Sequence, residues 1–166
     1  SPELLECRVK LGTTLATNAL LERRGVPTAL LTNAGLSGVF DIGTQRRPEL
    51  FELEIERSPR LQRWRLEAPG RRDARGRLVE ELDLDVARTV LAGAREEGAE
   101  AVAFVWMNGH AYPEDELRLA ETAREVWFAH VACSHEMARE IGFLSRGETA
   151  IADAYLTPRL RAHVED

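Results

Sequence analysis

Two stretches of this chain have continuous apolar runs with no alternation. Ala101–Met107 reads Ala-Val-Ala-Phe-Val-Trp-Met, and Ala29-Leu30-Leu31 forms the middle of a second run, Val26–Thr32. A strand with one wet face alternates apolar and polar residues, so continuous runs of this kind need cover on both faces of a sheet. Helices that connect parallel strands supply that cover.

The intervening segments supply such helices. Ala16–Arg24 is the first, with Ala16, Ala19, Leu20 and Leu21 as its inward stripe. A second runs from Val86 to about Glu97, capped by Asp85, stopped by Gly98, with Val86, Val90, Leu91 and Ala94 on one face. A third opens on Pro113, whose missing N–H is harmless there. Glu114, Asp115 and Glu116 then suit a helix N-terminus, and Leu119, Ala123, Val126 and Trp127 face inward. The last starts at Ser145, where Ser145-Arg146-Gly147-Glu148 has capping-box spacing. Its buried face holds Ile151, Ala154 and Tyr155, and Pro158 kinks or shortens it. Cys7–Leu11 and His130–Cys133 read as further strands, Leu36–Ile42 as a short helical turn closed by Gly43, and Thr44–Pro59 as an exposed loop. Arg63–Ala68 and Arg77–Leu82 flank a polar tip and read as the arms of a β-hairpin. The expected fold is an α/β layered domain with a mixed sheet, built from βα units plus one β-hairpin.

At 166 residues the chain reads as a single domain spanning residues 1–166. A net charge of −6 argues against a general nucleic-acid binder. No apolar run reaches membrane-spanning length, which argues against a membrane partner. Cys7 and Cys133 are too few for a disulfide framework or a zinc site, and a cytoplasmic location is the default for such usage. His110 and His163 have no second ligand at metal-site spacing, so no metal site is expected.

The segment Val9–Gly25 carries the clearest candidate chemistry. It reads as strand, turn at Gly12, and helix, with Thr13 or Thr14 capping the first free amides and Gly25 in the left-handed position after the helix end. Amides and hydroxyls converging at such a corner suit a phosphate or carboxylate; an ordinary capped helix has the same pattern. Asn18, one turn in, can reach a ligand or bond local backbone. His135-Glu136 follows a strand, where α/β proteins place functional groups. On a continuing strand the two point to opposite sides, which argues against joint action on one atom. No self-contained nucleophile with its base is evident, so the catalytic residues are unassigned.

Gly12–Gly25, Gly-Thr-Thr-Leu-Ala-Thr-Asn-Ala-Leu-Leu-Glu-Arg-Arg-Gly, resembles the N-terminal region of the hydantoinase A / 5-oxoprolinase family, relatives of the acetone carboxylase subunits. The resemblance continues through Thr28–Gly35, Ile42–Phe51, Asp73–Gly76, Ser134-His135-Glu136 and Ala154-Tyr155-Leu156. Gln45, Arg47 and Pro48 match a Gly-x-Gln-x-Arg-Pro segment, and Arg47 could hold a carboxylate or phosphate through two prongs. Arg146 matches another family position. The flanking Phe143, Leu144 and Ser145, the segment Met107–Tyr112, and Asp153 in place of asparagine depart from the pattern.

The resemblance implies part of an actin-like ATPase fold. It further implies a piece of a longer chain lacking the family's first phosphate loop. The parent would hydrolyse a cyclic amide with ATP and Mg²⁺, while the fragment alone would be inactive and bind neither. Its partners would be the rest of the parent chain and a second subunit. An acetone-type carboxylase subunit and a catalytically silent assembly or regulatory domain are the alternatives. The implied phosphate- or substrate-binding residues are Gly12, Thr13, Thr14, Asn18, Gln45 and Arg47, followed by His135, Glu136 and Arg146.

Overall fold

A computed structural model describes residues 14–43, 59–137 and 141–165. The Cys7–Leu11 strand, Gly12, Thr13, Gln45, Arg47 and most of the Thr44–Pro59 loop lie outside these residues.

The elements in chain order are α1 (Leu15–Leu21), β1 (Thr28–Asn33), α2 (Val39–Ile42), β2 (Trp64–Ala68), β3 (Arg71–Arg72), β4 (Leu78–Glu80), α3 (Leu84–Glu96), β5 (Ala101–Val105), α4 (Glu114–Glu125), β6 (His130–Cys133), α5 (Ser134–Met137) and α6 (Phe143–Glu165). The expected mixture of parallel and antiparallel pairing is present but divided between two sheets. The main sheet has order β2-β1-β5-β6 and is parallel throughout; β3 and β4 form a separate antiparallel ribbon. The expected first hairpin arm is therefore corrected. Trp64–Ala68 pairs in parallel with Ala29–Asn33, and the turn at Gly70 (φ +135°) hands the chain to the ribbon. Period-two alternation identifies a strand but not its neighbour.

The uninterrupted apolar runs now have their cause. On one face Ala29, Leu31, Val102 and Phe104 meet Ala87, Leu91 and Ala94 of α3 and Leu119, Ala120 and Ala123 of α4. On the other, Leu30, Ala101, Ala103, Val105 and Ala132 meet Ala150, Ile151 and Ala154 of α6. Each fully buried large side chain here contributes about 1.5–3 kcal/mol. Alanines on both sides of the second layer let α6 lie close on the sheet.

Several local expectations change. Asp83, not Asp85, caps α3, accepting from the amides of Asp85 and Val86 at 3.1 and 3.0 Å, and Val86 is left exposed. Trp127 sits just beyond α4 with φ 66°, a left-handed step that turns its ring outward to 81% exposure. α6 begins at Phe143; the Ser145 hydroxyl donates to the Gly142 carbonyl at 3.1 Å, and Pro158 lies inside the helix without ending it. α1 packs on α6 with Leu15, Ala16 and Ala19 partly buried and Leu20 and Leu21 exposed.

Gly25 is a further correction. Arg23, with φ 57°, takes the left-handed position after α1. Gly25 is required instead for space, because a Cβ there would run into the ring of Tyr155 while Val26 N donates to Tyr155 O at 3.0 Å. Gly25→Ala is expected to cost about 1–3 kcal/mol through overpacking, read from the urea midpoint. An unchanged midpoint would place that ring elsewhere.

Candidate functional site

Asn33, Trp106 and Ser134 each directly follow or end a strand at the carboxyl edge of the sheet, where open parallel sheets collect ligand sites. Asn33 ties two connections together. Its Oδ1 accepts from Met107 N at 2.7 Å, and its Nδ2 donates to the Gly70 carbonyl. Asp115, buried in the first turn of α4, accepts from Arg72 Nε at 3.1 Å and so anchors the ribbon. Asn108 Nδ2 donates to Arg72 O at 2.9 Å.

Glu116 is the centre of this edge. Its side chain is fully buried. Oε1 accepts from Trp106 N at 2.8 Å and from the Ser134 hydroxyl at 2.5 Å; Oε2 accepts from His135 N at 3.0 Å and faces His135 Nδ1 at 2.6 Å. The loop after β5 can arch this closely because residue 109 is glycine: a Cβ there would stand 2.8 Å from Glu116 Oε1. Arg146, also fully buried, reaches in from α6. Its Nε donates to Ser134 Oγ at 2.8 Å and its Nη2 to Trp106 O at 2.7 Å. Ser134 thus accepts from the cation and donates to the anion, joining the pair through one hydroxyl. Burial lowers the Arg146 pKa from its ordinary value and the Glu116 charge opposes that shift. A guanidinium stays protonated regardless.

An open cleft of about 600 Å³ lies over this lattice, lined by His110, Ala111, Pro113, His135 and Glu136. β6 ends at Cys133, and Ser134–Met137 is a helical turn, so His135 and Glu136 do not diverge as strand neighbours would. His135 Nε2 lies 4.0 Å from Glu136 Oε1, which corrects the expectation that the two face opposite ways.

The sequence candidates therefore divide. His135, Glu136 and Arg146 come together here. Thr14 caps α1 without a side-chain bond. Asn18 lines a different groove, of about 590 Å³, with Arg23, Arg159 and His163. Arg159 and Arg146 are thirteen residues apart on α6, or about 20 Å along the helix. Glu116, Ser134 and His110 went unassigned in the sequence. Asp153, the departure from asparagine, has a local role. It bonds His130 Nε2 at 2.7 Å and Thr157 Oγ1 at 2.8 Å, and the His130 bond lowers its pKa.

Glu116, Cys133 and His135 place carboxylate, sulfur and ring nitrogen within 4.8 Å of one another, a spacing that invites a metal. The donor chemistry does not fit one. Both Glu116 oxygens are already engaged twice, and burial, reinforced by the Glu116 charge, pushes the Cys133 thiol up to about 12. The ligand form of cysteine is the thiolate. Iodoacetamide is expected to modify Cys133 only after unfolding, as read by peptide mass spectrometry with and without urea. Native-state labelling at the rate of a free thiol would contradict this.

Residues 7–127 match the family model described as Hydantoinase/oxoprolinase N-terminal region. The chain belongs to this hydantoinase/oxoprolinase family. The matched span includes Glu116 and His110, and the site's other half, Ser134, His135 and Arg146, follows it. This hydantoinase/oxoprolinase chain is 31% identical over 175 residues to 5-oxoprolinase 1 of Arabidopsis thaliana, covering 94% of this chain and 14% of that protein. It is 31% identical over 164 residues to the acetophenone carboxylase gamma subunit of Aromatoleum aromaticum, covering 89% and 22%. It superimposes on the crystal structure of the ATP-dependent caprolactamase from Pseudomonas jessenii with a TM-score of 0.83 and 24% identity, covering 93% and 23%. This likeness is one of fold, and it is consistent with a portion of an actin-like architecture. The chain thus spans about a seventh of the plant relative's length. Among the described residues no helix is long and apolar enough to cross a membrane.

Proposed function

We infer that this chain is the N-terminal domain of an ATP-dependent enzyme that opens a cyclic amide, inactive when separated from its parent and working in the cytoplasm. Similarity to 5-oxoprolinase 1 over 94% of the chain, including the sheet edge that carries Glu116, is the observation behind this reading. ATP bound by the parent would supply phosphoryl transfer to the amide oxygen, turning a poor electrophile into a reactive one.

The residues proposed for phosphate or carboxylate contact are Gly12, Thr13 and Thr14 at the first turn, Asn18 beyond it, and Gln45 and Arg47. Of these, only Thr14 and Asn18 are among the described residues, and they do not by themselves form a nucleotide cradle. Mg²⁺ takes oxygen ligands, and the Glu116–Cys133–His135 group does not offer a suitable set. His135 is assigned proton transfer: Glu116 fixes its ring through Nδ1, and the residue lines the cleft. The remainder of the parent chain and a second subunit are the proposed partners.

The similarity to an acetophenone carboxylase subunit favours a second reading, carboxylation of a ketone. Assaying the full-length parent separates the two. ATP hydrolysis that depends on 5-oxoproline or hydantoin supports the amide reading, and ATP hydrolysis that depends on bicarbonate and a ketone supports the carboxylase. ATP turnover with none of these overturns both.

A further inference from the structure

Two imidazoles line the cleft, and their buried partners set them to opposite tautomers. His135 Nδ1 faces Glu116 Oε2 at 2.6 Å. That carboxylate already accepts from two backbone amides and a hydroxyl, and a carboxylate so engaged can only accept. Nδ1 therefore carries the hydrogen, and Nε2 of the neutral ring presents a lone pair. His110 is held the other way. Its Nδ1 lies 3.4 Å from Arg146 Nη1, and a guanidinium has no acceptor to offer. Nδ1 must supply the lone pair, so the neutral ring keeps its hydrogen on Nε2.

The geometry points to a donor–acceptor pair. We propose that His110 and His135 receive a neutral ligand edge bearing one acceptor and one donor side by side, with His110 Nε2–H giving to the acceptor and His135 Nε2 taking from the donor. An unsubstituted cis amide, the form that ring closure enforces in a lactam, has this edge. A carboxylate lacks the donor. It would also meet Glu136, whose side chain is 55% exposed and lies at the same cleft. The ligand's identity as a lactam rests on the cyclic-amide reading above; the tautomers do not.

Nitrogen-15 NMR of the histidine side chains in the 166-residue chain tests the pair, with 2-pyrrolidinone as probe and N-methyl-2-pyrrolidinone as the analogue lacking the N–H. The expected result is hydrogen on Nδ1 of His135 and on Nε2 of His110. Pyrrolidinone should perturb both Nε2 resonances and bind about tenfold more tightly than its methylated analogue, the worth of one hydrogen bond. His135→Asn keeps an N–H toward Glu116 but removes Nε2, and should abolish the discrimination between the two probes. His110→Asn keeps an acceptor toward Arg146 and should weaken both probes about tenfold. The same tautomer at both histidines, or equal binding of the two probes to the unsubstituted chain, overturns the proposal; neither measurement needs a variant to fold. Opposite tautomers and probe discrimination in a chain whose parent opens no cyclic amide would uphold the pair and sink the enzymatic reading.

Discussion

Glu116→Leu is expected to cost the 166-residue chain about 3–5 kcal/mol in urea unfolding, because it leaves Arg146 charged and buried without its counter-ion. The same change removes the acceptor for Trp106 N, Ser134 Oγ, His135 N and His135 Nδ1. Each orphaned buried donor adds its own desolvation cost. The comparison is Glu22→Ala, which breaks the surface pair with Arg24 at 3.1 Å, side chains 53% and 77% exposed. That pair is worth at most about 1 kcal/mol, so burial rather than charge decides the difference. Arg146→Met should also be costly. The double variant should lose less than the sum of the two by about 1–3 kcal/mol, since once the anion is gone its partner is a liability. A loss below about 1 kcal/mol for Glu116→Leu, or strict additivity, would mean that the lattice does not hold the sheet edge together.

The parts of this fold that the sequence discloses are those decided locally or by two-sided burial. Ala101–Val105 and Thr28–Asn33 are strands because no residue in their apolar cores tolerates water, and both faces are in fact covered. Pro113 marks the start of α4, and Gly43, with φ 59°, closes α2 as expected. What is decided by a distant neighbour is hidden. Trp64–Ala68 alternates like a hairpin arm, yet its partner β1 lies some thirty residues back in the chain.

Glu116 is hidden for a related reason. Three successive acids at a helix start read as a solvated, dipole-favoured turn. Two of them are buried because Arg72 and the Trp106–His110 loop close over them. Gly109 was the available signal, a glycine in the loop facing the helix start, but a loop glycine has many uses. His135 and Glu136 read as facing opposite sides only if extended backbone runs on beyond the His130–Cys133 strand. The Ser134 hydroxyl, drawn to Glu116 and Arg146, goes with the change from strand to helical turn there.

The second large effect concerns turnover. His135→Asn in the full-length parent should leave folding intact, because an asparagine N–H can still meet Glu116, while removing Nε2 from the cleft lining. Proton transfer by a positioned side chain contributes about 10²–10⁴-fold, so kcat/KM for ATP-dependent amide opening should fall by about that factor. Loss through misfolding would appear as a lower urea midpoint, and loss of ground-state binding alone as a raised KM with kcat kept. His135→Asn measured beside the unsubstituted parent, with kcat/KM and urea midpoint on the same preparations, puts the assignment of this cleft to its most direct test. The expected result is a turnover loss of at least a hundredfold at an unchanged midpoint; full turnover at an unchanged midpoint would contradict it.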